Sequence, residues 1–270
     1  MNFHFNVSCK IPINDDYCRP ETRNQKMDDG RIRKVDLTGP STNRIPIDPE
    51  DLRPSPDAVA RYFGGAGYNL TPKAQKRVHE GVGQAVTMVS PLAVYRVIPV
   101  EKIKTVTNSG WSDGKYSDIA LDLIEYPVRY FAVYLATLGE ALETACREMA
   151  DQNKMYQAML LDAVGTAMLD TMGAKIEKIV DSQARHMGLF TGCRLGPGLN
   201  GVALENQALL FNLLDGETVG VHLNESFIMR PSKSISAFVI FNDSQQREAT
   251  GNKCSRCKMK RCQFRVRPPK

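Results

Sequence analysis

Apolar residues recur at intervals of three and four from Met155 through Met159, Leu160, Ala163, Val164, Ala167, Met168, Met172, Ile176 and Ile179 to Val180. That period predicts a long helix over 154–187 with one wide apolar face, its methionines serving as core packing. Gly165 and Gly173 within it suit the close approach of another segment. The pattern changes at 128–139, VRYFAVYLATLG, whose continuous apolar run predicts a buried strand ended by Gly139. Thr137 and Gly139 then lead into a helix, EALETACREMA. Upstream, the β-branched run at 90–100 predicts a further strand, followed by the polar turn NSGWSDGKY. Two helices precede it. One opens at Pro56 and Asp57 and stops at Gly64 and Gly65; the other has Thr71 as N-cap and Pro72 at its first position.

The most densely patterned stretch runs from Cys193 to Asn242. It holds a Gly/Pro loop, a short amphipathic helix (ALENQALLFNLLD) and two apolar strands joined by a polar turn. Residues 1–57 show no helical period and carry seven prolines; they read as an extended arm, with RKVDL and RIPI as candidate edge strands. The expected organisation is an arm (1–57), one domain (58–245) and a tail (246–270).

Composition changes this picture mainly at the tail. At 42% hydrophobic and 24% charged, the 270 residues are those of an ordinary globular protein. The net charge of +5 is unevenly placed: Arg247–Lys270 holds nine Lys or Arg against the single acid Glu248. One aromatic there, Phe264, gives little support to base stacking, so nucleic acid is disfavoured as a partner. No apolar run reaches membrane-spanning length and the N-terminal stretch lacks the pattern of a secretion signal. A cytoplasmic protein with no membrane partner is expected.

Seven cysteines in a reducing compartment point to metal or redox chemistry rather than a disulfide framework. Cys254, Cys257 and Cys262 form C-x2-C-x4-C, so two thiolates can share a metal through one tight turn with the third in reach. The surrounding Lys and Arg favour thiolates. A closed site needs a fourth ligand. Cys193 is the preferred candidate because it adjoins Arg194; Cys9 and Cys18 are alternatives, and Cys146 reads as core. Zinc would pin the tail, whereas an iron–sulfur cluster could deliver an electron. The four histidines lack metal-ligand spacing. His222 alternates with Val221 and Leu223 and faces the opposite side. GGAG at 64–67 follows a helix rather than a strand, which argues against a phosphate loop. In Arg194-Leu195-Gly196-Pro197-Gly198 the glycines permit positive φ and backbone contact with a ligand, and Arg194 offers a fork for a carboxylate.

Three segments then follow in order: Arg194-Leu-Gly-Pro-Gly-Leu199, Leu223-Asn-Glu-Ser-Phe-Ile-Met229-Arg-Pro231 and Ser234-Ile-Ser236. Their order and spacing resemble the activation domain of cobalamin-dependent methionine synthase, where an R-x-x-P-G-Y loop binds S-adenosylmethionine and L-T-E-S-F-A-M-x-P runs into a strand. Pro231-Ser-Lys233-Ser234-Ile-Ser236 is similar to the P-x-K-S-[IV]-S of smaller stand-alone proteins of that superfamily, and Thr137-Leu138-Gly139 to their T-L-G. The resemblance spans 58–242 and is most specific over 190–242.

It implies an α+β fold, a twisted antiparallel sheet with flanking helices. It also implies a role in reductive reactivation of cobalamin, with S-adenosylmethionine as methyl donor and cobalamin presented by a corrinoid-binding protein or methionine synthase module. Carried over by position, Arg194 would face the methionine carboxylate. Gly196, Pro197 and Gly198 would supply backbone contacts, and Glu225, Ser226, Met229 and Pro231 would form a wall facing adenosine or corrin. The family's Tyr is Leu199 here and its Trp is Arg230. A cluster at the cysteines would stand in for a separate electron donor. The alternative, favoured by Leu199, is a non-catalytic scaffold of a corrinoid methyltransferase assembly with a metal-pinned basic tail. No catalytic residue is assigned in either reading.

Overall fold

The computed structural model describes residues 42–65, 67–101, 128–198, 202–214 and 216–243, and for Cys193 the backbone alone. The turn NSGWSDGKY, the piece RKVDL and the cysteine tail lie outside them.

Five strands pair antiparallel in the order β1-β2-β3-β7-β4. They are β1 (Asn43–Ile45), β2 (Leu92–Pro99), β3 (Val128–Thr137), β4 (Phe190–Leu195) and β7 (Ser234–Asn242). Two short strands, β5 (His222–Leu223) and β6 (Met229–Arg230), pair separately. The third strand lies in the centre, and both its faces are covered. Ala132, Tyr134 and Ala136 pack on one side, and Phe131, Val133 and Leu135 on the other. That double burial is why its sequence reads as a continuous apolar run rather than an alternation.

Four helices cover the first face: α1 (Pro56–Gly64), α2 (Pro72–Met88), α3 (Ala141–Asp151) and α4 (Met155–His186). The hydroxyls of Ser55 and Thr71 cap the first two, accepting from Ala58 N at 3.2 Å and Ala74 N at 3.3 Å. The long helix follows the sequence period closely, with Val164, Met168, Met172, Ile176 and Val180 fully buried. Each such side chain contributes about 1.5–3 kcal/mol of burial. Met155, Met159 and Ile179 share the period but lie exposed, so the apolar face is wider than the core it covers. Gly165 sits against α3, where a Cβ would come within 2.8 Å of Leu142 Cδ2.

The second face is covered by α5 (Asn206–Leu214) through Leu209, Leu210, Leu213 and Leu214, with Val202, Val219 and Val221 alongside. Residues 43–52 are also docked: the first strand forms a sheet edge on the second, and Leu52 is fully buried. Among the described residues no helix is long and apolar enough to cross a membrane.

Candidate functional site

The register of the sheet brings the motif segments to one end. Leu195 pairs with Phe238, and Thr137 with Ser234, in antiparallel neighbours. The loop leaving β4 and the segment entering β7 therefore emerge at the same end, a few residues apart along adjacent strands. Thr137-Leu138-Gly139 lies there too.

Arg194 and Leu195 end a strand rather than begin a loop. Strand alternation sends their side chains to opposite faces, Leu195 into the α5-side core and Arg194 toward α4. Arg194 Nη1 donates to Glu177 Oε1 at 2.5 Å and to Tyr134 Oη at 3.1 Å. Its side chain is 16% exposed, that of Glu177 34%. Gly173, one turn before Glu177, faces β7: a Cβ there would come within 3.1 Å of Ile235 Cδ1, while Arg194 Nη1, at 3.9 Å, would stay in ordinary contact. Burial alone would lower the Arg194 pKa, but Tyr134 and Glu177, by charge and hydrogen bond, hold it above its ordinary value. Burial, first, pushes the Tyr134 hydroxyl up to about 12; Glu177 adds to this and Arg194 opposes it.

In the loop, Gly198 has φ +79°, and a Cβ there would approach Leu204 Cδ1 to 3.1 Å. Only glycine suits it. Its N–H donates to Val202 O at 2.9 Å, so the loop is closed on itself. Gly196 is buried and Pro197 half-buried.

The second segment is an Asx-stabilised turn. Asn224 Oδ1 accepts from Ser226 N at 3.0 Å and Ile228 N at 2.9 Å, and Asn224 O accepts from Phe227 N at 2.9 Å. These bonds hold Phe227 at φ +58°, a conformation disfavoured for an aromatic residue. They also engage the backbone donors, leaving side chains to meet a ligand. Glu225 and Ser226 are exposed, while Met229 and Pro231 are half-buried. His222 is exposed between Val221 and Leu223, on the side its alternation predicts.

The turn is fastened by the residues that follow it. Ser232 N donates to Glu143 Oε2 at 2.7 Å, and its hydroxyl bonds the same oxygen. Lys233 Nζ lies 2.7 Å from Asp162 Oδ1 and 2.8 Å from Thr166 Oγ1, while Lys233 O accepts from Leu138 N at 2.9 Å. Ser234 Oγ is 2.8 Å from both Pro231 O and Thr137 Oγ1. The single Ser234 proton is available to either oxygen, and Thr137 Oγ1 donates to Lys233 O at 3.4 Å and accepts from Gly139 N at 3.1 Å. Ser236 Oγ donates to Gln207 Oε1 at 2.9 Å, joining the last strand to α5. Cys146 lies half-buried near this junction; burial, with Asp162, pushes its thiol up to about 11 against the opposing charge of Lys233.

The register thus brings Arg194, Gly196, Pro197 and Gly198 to the same sheet end as Pro231, just before β7, with Arg194 turned toward α4; Glu225, Ser226 and Met229 belong to the separate β5–β6 ribbon that precedes it. Cys254, Cys257 and Cys262 fall outside the described residues, as does the side chain of Cys193. Among the described residues no group of three or more His, Cys, Asp or Glu could hold a metal ion. Glu177, Tyr134, Gln207, Asp162 and Thr166 are partners that the sequence reading missed. The glycine at 173, four residues before Glu177, marks the close approach of Ile235 and not the pairing of Glu177.

A family model described as "Vitamin B12 dependent methionine synthase, activation domain" matches residues 116–262, more than half of the chain and as far as the last cysteine of the trio. Among solved structures, the "MetH Reactivation Domain bound to AdoHcy" is similar over 77% of this chain and 81% of that chain, with a TM-score of 0.55 and 16% identity. At that identity the likeness establishes the shared α+β fold. No curated protein matches the chain in sequence. The chain belongs to the vitamin B12-dependent methionine synthase activation-domain family.

Proposed function

We propose that the protein is an activation factor for a corrinoid protein, supporting reductive, S-adenosylmethionine-dependent return of its cobalamin to the methylated state. The observation that carries this reading is that the Arg194–Gly198 loop and the entry to β7, which the Glu225–Pro231 segment leads into, emerge at one sheet end within the matched residues. S-adenosylmethionine would supply the methyl group, and a methionine synthase module or related corrinoid protein the cobalt; the cofactors carry the chemistry and the protein supplies orientation. Glu225 and Ser226, exposed on a turn held rigid by Asn224, would present polar groups to ribose or to corrin side chains. Half-buried Met229 would supply the apolar part of the wall.

The donor set fits the adenosyl end of the ligand better than the amino-acid end, because the Arg194 guanidinium is held by Glu177 and Tyr134. No carboxylate contact is therefore drawn. The same observation favours a second reading, in which the chain is a non-catalytic scaffold in a corrinoid methyltransferase assembly.

Cys254, Cys257 and Cys262, with Cys193, would hold an iron–sulfur cluster passing an electron to cobalt, or a zinc ion pinning the tail. A cytoplasmic site of action agrees with both. The test is transfer of a labelled methyl group from S-adenosylmethionine to a cob(II)alamin-loaded methionine synthase module under a chemical reductant. The activation reading expects label on the corrinoid only when the protein is added. Binding without any stimulation of transfer leaves the scaffold.

A further inference from the structure

Every cation of a binding loop that recognises a carboxylate has to be available to it. Arg194 is the only cationic residue between Phe190 and Val221, and it is turned inward. Its Nη1 is shared between Glu177 Oε1 at 2.5 Å and Tyr134 Oη at 3.1 Å. Glu177 is 34% exposed, so its side of the pair is open to solvent. An incoming carboxylate would meet the charge of Glu177 and would have to leave it unpaired to gain Arg194.

We infer that Glu177 is a specificity-determining residue of the loop site: its carboxylate occupies Arg194 from within the chain, so the site takes an adenosine thioether without favouring the amino-acid end. This rests on the proposed function, since it concerns the same loop. It departs from a plain carryover of family residues, in which Arg194 reads the methionine carboxylate.

Two ligands separate the cases. S-adenosylhomocysteine and 5′-methylthioadenosine share the adenosine thioether, and only the first carries a carboxylate. Calorimetric titration of the wild-type full chain should give affinities within about threefold of each other, because the charge-assisted bond that would distinguish them is already made internally. Glu177→Gln removes the competing charge while keeping the shape, and should raise the preference for S-adenosylhomocysteine to about tenfold or more, with 5′-methylthioadenosine nearly unchanged. A wild-type preference of about tenfold for S-adenosylhomocysteine would overturn the inference without any variant, so a poorly folding Glu177→Gln does not remove the test. Equal affinities in both proteins would likewise overturn it, by showing that Arg194 is out of ligand reach. Silence with both ligands in the wild type would overturn it together with the proposed adenosyl site, an outcome distinct from binding with the wrong preference.

Discussion

Two buried cations, Lys233 and Arg194, stand at the same end of the sheet and are held differently. The Lys233 side chain is 11% exposed; its ammonium meets Asp162 and Thr166 of α4, and its carbonyl and the next hydroxyl tie β7 to the T-L-G corner after β3. Arg194 meets the Glu177 carboxylate, 34% exposed against 47% for Asp162, and the Tyr134 phenol. The first arrangement is architecture, because the main-chain and hydroxyl bonds on either side of the lysine join several elements. The second is a contact between side chains, which another carboxylate could make. Two cations of the motif segments, of which only Arg194 was read as a site residue, thus divide into a fastening and an adjustable contact.

The largest expected effect is at the fastening. Lys233→Met leaves Asp162 without its partner, and should cost about 2–3 kcal/mol in urea unfolding with an unchanged m-value. The figure is below that for a fully buried pair because Asp162 is 47% exposed and can be hydrated. A loss under about 0.5 kcal/mol would place Lys233 among ordinary surface contacts and erase the contrast. Arg194→Met should cost less, about 1–2 kcal/mol, mostly from stranding the fully buried Tyr134 hydroxyl. An equal or larger loss than at Lys233 would reverse the comparison.

Ser234→Ala removes a hydroxyl bridging Thr137 and Pro231, and should cost about 1 kcal/mol by the same measurement. Its coupling to Lys233→Met should depart from additivity, since both act on one junction; strict additivity would separate them. One further effect is confined to alkaline pH and is absent near neutrality. Tyr134 keeps its proton to about 12, whereas an unfolded tyrosine loses it near 10, so the folded state loses stability as pH rises between those values. Tyr134→Phe should therefore lose less stability than the wild type between about pH 10 and 12, and match its slope below pH 10. Parallel curves throughout would show that the hydroxyl titrates normally.

Much of the fold was legible because burial leaves a period in sequence. The central strand, covered on both faces, and α4, with its three-and-four spacing, were readable from apolar positions alone. Thr71 and Pro72 fixed the start of the second helix in the same way. The end of the first strand of the candidate site was not legible: Arg194-Leu195 read as loop because two glycines and a proline follow, yet register with β7 extends the strand through Leu195. Ion-pair partners were least legible. Glu177 and Arg194 are 17 residues apart, and Lys233 and Thr166 are 67 apart, separations at which no local propensity acts. The adjacency of Thr137-Leu-Gly and Lys233-Ser-Ile-Ser was not read from the sequence, although both carried the family resemblance; the hydrogen bonds between them give it a physical cause.

The central claim is that this sheet end serves a corrinoid protein. Calorimetric titration of the full chain with the cobalamin-binding module of a methionine synthase, loaded as cob(II)alamin, tests it most directly. The account predicts saturable binding, weakened by substitution of Glu225 and Arg230 on the exposed turn. Absence of binding heat under conditions where both proteins are folded would contradict it.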